Sequence, residues 1–165
     1  MPAASTSGPS WSAAGEGEAF WFLGTLAVIR MPGAVVGGRY SLVESLFPRG
    51  ASPPLHTHPQ DESYIVLEGS MTIVAGGERI ELGTGAAAAV PMNLPHTFRV
   101  DSETARVLLI STPAGIEQLF VDGGVPAQAF TLPPPDTPRP APEEMERIFA
   151  SNGLQIVGPP LGPQD

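Results

Sequence analysis

Hydrophobic and polar positions alternate through the middle of the chain in short bursts, and glycine or proline punctuates nearly every one. Residues 25–31 are mostly apolar and partly β-branched, and they end at Pro32-Gly33, which predicts a strand followed by a turn through Gly37-Gly38. Residues 40–47 predict the next strand, with Leu42 and Leu46 on one face. Glu44 shares that face, either inward as an acid or base or outward as a structural carboxylate. Residues 71–74 and 79–82 form two more hairpin-like segments, set off by Gly69, Gly76-Gly77 and Gly83-Thr84-Gly85. Residues 86–90 are small and stop at Pro91; on an inward strand they would leave open volume. Residues 106–111 read as a late, buried strand.

The two ends differ in kind. Residues 1–18 are small and polar without periodicity, as in a flexible arm. The aromatic run Phe20-Trp21-Phe22-Leu23 is expected to serve as a lid, a dimer contact or a wall for a substrate. Ile116, Leu119 and Phe120 recur at helical spacing and stop at Gly123-Gly124. Residues 131–142 are proline-rich and extended, a spacer. Residues 143–151 begin with acids, carry Met145, Ile148 and Phe149 on one stripe, and end at Asn152-Gly153, predicting a second helix packed against the strands. The expected organisation is an arm (1–18), a β-barrel (19–113) and an extension (114–165).

Composition narrows this further. Glycine and proline make up nearly a quarter of the 165 residues, while the hydrophobic share is 42%. Short strands joined by many turns consume both residue types, so an all-β barrel fits better than disorder. The net charge is −9, from eight arginines, no lysine and 17 acids. That balance disfavours nucleic acid and anionic membranes as partners, and makes a strongly anionic substrate unlikely to be held. A neutral or weakly acidic small molecule fits. There are no cysteines, hence no disulfides and no thiolate ligands. Residues 1–19 lack both basic residues and an apolar core of the kind an export signal needs, so the expected location is the cytoplasm.

All three histidines belong to one constellation: His56, His58 and His96, with Glu62 between them. On a strand, His56-Thr57-His58 presents both rings on one face. Three imidazoles and a carboxylate are a donor set that a divalent transition metal takes. A structural zinc would favour a closed tetrahedral shell, often with thiolates absent here; an open position suits O₂ or an oxygen-bearing substrate. Tyr64 and Val66 follow Glu62 at even spacing, and Phe98 follows His96. Together with Leu42 and Trp21 they are the expected substrate pocket, apolar and aromatic.

These motifs resemble those of the cupin superfamily. The stretch bracketed by Gly50 and Gly69, with His56, His58 and Glu62, is similar to the first cupin motif; the stretch from Gly85 to His96 is similar to the second. The resemblance implies a jelly-roll β-barrel, here with a short C-terminal helical extension. It implies His56, His58, Glu62 and His96 as ligands of one divalent transition metal: Fe, Ni, Mn, Co, Cu or Zn. Asn93 stands where the family usually has glycine, and Val100 where it has asparagine; asparagine tolerates the left-handed turn. Residues 20–26, 61–69 and 153–160 also look similar to single-domain cupins of the quercetin 2,3-dioxygenase-like group. That likeness implies a dioxygenase acting on a small aromatic or enediol-type compound, with Glu62 as ligand and general base; the expected assembly is a homodimer. An isomerase or lyase and a non-catalytic ligand-binding barrel are the alternatives, because one barrel serves many functions.

Overall fold

The computed structural model describes residues 8–163. Twelve strands among them pair into two antiparallel sheets: β1 (Glu18–Phe22), β2 (Thr25–Met31), β3 (Ser41–Pro48), β4 (Pro54–Thr57), β5 (Asp61–Glu68), β6 (Met71–Ala75), β7 (Glu78–Leu82), β8 (Ala87–Val90), β9 (His96–Val100), β10 (Thr104–Thr112), β11 (Val125–Pro126) and β12 (Gln155–Pro160). The larger sheet runs β11-β1-β2-β3-β10-β5-β8, and the smaller runs β12-β4-β9-β6-β7. Their facing surfaces enclose a core in which Val43, Phe47, Tyr64, Val66, Ile73, Phe98 and Val107 are buried. This is the all-β barrel expected from the strand pattern, with the jelly-roll form that the resemblance implies. Two helices follow it, α1 (Glu117–Gly123) and α2 (Pro142–Ser151). Pro142 opens α2, where a missing N–H costs nothing, and Gly153 closes it at φ 77°. No described helix is long and apolar enough to cross a membrane.

The phase of β3 differs from expectation. Ser41, Val43, Ser45 and Phe47 point inward, and Leu42, Glu44 and Leu46 lie on the half-buried outer face. Leu42 is therefore not a pocket residue. Both faces of this strand carry large apolar residues while two inward positions are serines, so alternation alone does not choose between them. Glu44 is structural: Oε2 accepts from Arg30 Nη1 at 2.6 Å and Oε1 from Arg106 Nη1 at 3.2 Å.

Residues 86–90 do not open space beside the histidines either. β8 is an edge strand, with Ala87 and Ala89 exposed to solvent. At the N-terminus, residues 1–7 of the expected arm lie outside the described residues. Further along, Arg30 Nη2 donates to the carbonyls of Ser12 and Ala13 at 3.1 and 3.0 Å, and Arg30 Nε donates to Ser12 Oγ at 3.0 Å.

Candidate metal centre

Two neighbouring strands, β4 and β9, bring the histidines together. His56 on β4 is the direct cross-strand partner of His96 at the start of β9. His58 follows β4 by one residue, and Glu62 sits on the adjacent β5. The turn before β9 is held by Asn93, whose φ of 60° is the left-handed conformation that asparagine tolerates. Its N–H donates to the carbonyl of His58 at 2.9 Å, tying the second motif to the first.

The ring centroids of His56 and His96 are 4.4 Å apart, those of His58 and His96 4.8 Å, and those of His56 and His58 5.5 Å. One ligand nitrogen from each of the three lies within 4.8 Å of the others, and all three residues are buried. Two nitrogens bound at about 2.1 Å to one ion are at most about 4.2 Å apart, so the cluster is close to coordination distance and slightly wider. His56 and His96 each direct Nδ1 at a backbone carbonyl, Pro54 O at 2.7 Å and Leu94 O at 2.8 Å. Donation by Nδ1–H fixes the tautomer and leaves Nε2 as the ligand atom, the arrangement seen in metal-binding histidines. His58 Nδ1 is buried without a hydrogen-bond partner. The donor set fits a divalent transition metal.

Glu62 Oε2 lies 3.1 Å from His58 Nε2 and 3.3 Å from His96 Nε2, and accepts a 2.8 Å hydrogen bond from the Tyr64 hydroxyl. Burial alone would raise the carboxyl's pKa, but the hydrogen bonds from the two imidazoles outweigh it and hold Glu62 well below the usual carboxylate range. Burial and the Glu62 charge push the Tyr64 phenol well above its usual value, so it stays protonated as a donor.

A cavity of about 220 Å³ opens beside this cluster. His56, His58, Tyr64 and Phe98 border it, whereas Glu62 and His96 stand behind that wall. Val66 shares the inward face but is fully buried in the core, away from the cavity. Trp21 is not a wall residue. It packs outward, donating Nε1–H to Thr131 O at 2.8 Å, and its neighbour Phe22 lines the cavity instead. Sequence reasoning named Phe22 only within the aromatic run 20–23 and missed Leu119, Phe120, Phe149 and Leu154, all of which line the cavity. The helical stripes of residues 116–120 and 145–149 carried the signal for most of them, and read as ordinary packing.

The profile of the cupin domain family matches residues 43–111, the span from β3 to β10 that contains all four candidate ligands. The chain thus contains a stretch, residues 43–111, that is similar to the cupin domain. It is 29% identical over 121 residues to quercetin 2,3-dioxygenase of Bacillus subtilis, a match covering 73% of this chain and 36% of that protein. The chain thus spans about a third of that relative's length. Among solved structures it is similar to KdgF from Halomonas sp., with a TM-score of 0.58 and 19% identity over 68% of this chain and 99% of that one. It is also similar to an RmlC-like cupin from Shewanella frigidimarina, with a TM-score of 0.57 and 18% identity over 67% and 96%. These likenesses establish the fold.

Proposed function

We propose that this protein is a metal-dependent dioxygenase acting on a small aromatic or enediol-type compound, with His56, His58, His96 and Glu62 as ligands of one divalent transition metal. The observation that carries the proposal is a buried cluster of three imidazoles, two of them in contact with Glu62, whose His56 and His58 border an otherwise apolar, aromatic cavity. The similarity to quercetin 2,3-dioxygenase supports the reaction class. When bound, such a metal with a free coordination position supplies a Lewis acid that takes an oxygen-bearing substrate and O₂.

The protein's own groups do the rest. The carbonyls of Pro54 and Leu94 hold His56 and His96 with Nε2 presented to the metal. Tyr64 fixes the rotamer of Glu62 through its hydroxyl and faces the cavity, where it can also orient a substrate oxygen. Glu62 serves as ligand and as acceptor of the substrate's acidic proton at a carboxylate oxygen. Phe98 and the surrounding hydrocarbon exclude water from the reacting centre.

Elemental analysis of natively purified protein, followed by O₂-uptake assays with flavonols and catechols on metal-reconstituted samples, tests this reading. Stoichiometric metal with substrate-dependent O₂ consumption is expected. Metal-loaded protein that transforms a substrate without consuming O₂ would make it an isomerase or lyase. A ligand that raises Tm with no turnover would make it a binding barrel. In Glu62→Gln, metal should largely remain while turnover falls by about two to four orders of magnitude. Near wild-type turnover would remove the base role.

A further inference from the structure

We propose that the C-terminal helices, rather than the barrel, set the size and polarity of the ligand. It is a neutral single-ring compound with two adjacent oxygens on one edge and hydrocarbon on the other. The inference rests on the metal reading above and narrows it.

The cavity is two-ended. His56, His58 and Tyr64 sit at the barrel floor, and the other polar side chains that border the cavity, Thr25 and Ser52, are engaged by the backbone, at Phe22 O and Leu161 N–H. Opposite them the roof is hydrocarbon: Leu119 and Phe120 from α1, Phe149 from α2, and Phe22 from β1. Phe22 and Phe120 meet edge to face with centroids 5.2 Å apart, which stiffens that wall. The helices are joined by a hydrogen bond from Asn152 Nδ2 to Asp122 Oδ2 at 3.0 Å. All four roof residues lie outside the 43–111 span that matches the cupin domain.

Size and charge then limit what fits. A volume of about 220 Å³ lies below the ~300–1,000 Å³ of pockets that hold drug-sized ligands. No Asp, Glu, Lys or Arg borders the cavity among the described residues, so an ionised group at the ligand's far end would be buried unpaired. A three-ring flavonol with polar substituents at both ends is therefore disfavoured, and a catechol-like head with a small alkyl group is favoured.

The test is a binding measurement on Co(II)-reconstituted protein, read from the visible d–d bands under anaerobic conditions. The probes are catechol, 4-methylcatechol and the three-ring 3-hydroxyflavone. Wild type should bind 4-methylcatechol at least about tenfold more tightly than 3-hydroxyflavone, a difference within reach of a shaped apolar pocket. Phe149→Ala should strengthen 3-hydroxyflavone binding by about tenfold and weaken 4-methylcatechol binding, with Co(II) content unchanged. If Phe149→Ala melts far below wild type, Phe149→Leu shortens the same wall more gently and should shift the preference in the same direction. Equal affinity of wild type for the two ring sizes, or a preference untouched by either variant, would overturn the inference and leave the metal centre standing. Failure of Co(II) to bind at all would overturn the metal reading, and the inference with it.

Discussion

At the scale of single residues, the histidine cluster carries the strongest expectations. His58→Ala and His96→Ala should each abolish stoichiometric metal while the barrel stays folded, because the core is built from Val43, Phe47, Val66, Ile73 and Val107 rather than from the metal site. Metal content and far-UV circular dichroism on the same sample decide it; a full equivalent of metal in His58→Ala would refute the ligand assignment. The metal-free protein should also have a distinctive pH profile. Burial, helped by the His96 charge, lowers the His56 pKa from 6.5 to about 4. Between those values the unfolded chain takes up a proton that the folded chain refuses, so stability falls as the pH drops from 6.5 toward 4. His96 behaves oppositely. Burial would lower its pKa, but hydrogen bonds to Glu62 and the Leu94 carbonyl raise it above 6.5. Its contribution is complete below 6.5 and is lost as the pH rises through the raised value. Chelator-treated protein should therefore melt highest near pH 6.5. A Tm that is flat from about pH 4 to pH 8 would contradict both assignments. Asn93 gives a simpler case. Asn93→Gly should be tolerated, whereas Asn93→Val should cost about 1–2 kcal/mol by denaturant titration, since a β-branched residue resists the left-handed turn.

At the scale of elements, the sequence was legible where one force set the pattern and ambiguous where two competed. β2, β6, β7 and both helices lie close to the segments that alternation, helical spacing and glycine stops predict. The left-handed turn at Asn93 was readable because few residues other than glycine adopt it. β3 was readable as a strand but not in its phase, because Leu42 and Leu46 half-bury on the outer face of the sheet while Ser41 and Ser45 face inward. β12 was not readable as a strand at all. Gly158, Pro159 and Pro160 are poor strand formers, and they hold that conformation only because β4 lies alongside. The segment before β1 is a similar case. Deleting residues 1–16 removes three acceptors of the Arg30 guanidinium while Glu44 remains. The expected loss is about 1 kcal/mol, larger than the ~0.5 kcal/mol of uninvolved surface. An unchanged urea midpoint would mean that water replaces those bonds at no cost.

At the scale of the whole molecule, the extension and the metal centre form one mechanical unit. β12 pairs with β4 so that Ile156 lies opposite His56, and the chain then crosses to Ser52 and Arg99 through Leu161 N–H and Gly162 O. The strand that carries His56 is thus clamped between β9 on one side and the C-terminal segment on the other. If this clamp positions His56, its removal should act on metal affinity without touching a ligand. Deleting residues 154–165 should weaken metal binding about 10–100-fold, the usual effect of losing groups that orient a metal ligand. Gly158→Val is a gentler form of the same experiment. A Cβ there would sit 3.0 Å from Leu55 Cδ2, pressing on the residue next to His56. A competitive titration against a metallochromic chelator gives the affinity of each variant, and thermal melting shows whether the barrel remains. Weaker metal binding in both variants, with the barrel intact, would place the extension in the working parts of the site. Wild-type affinity in both would show that β9 alone holds His56 in place and that the C-terminal segment serves only to roof the cavity.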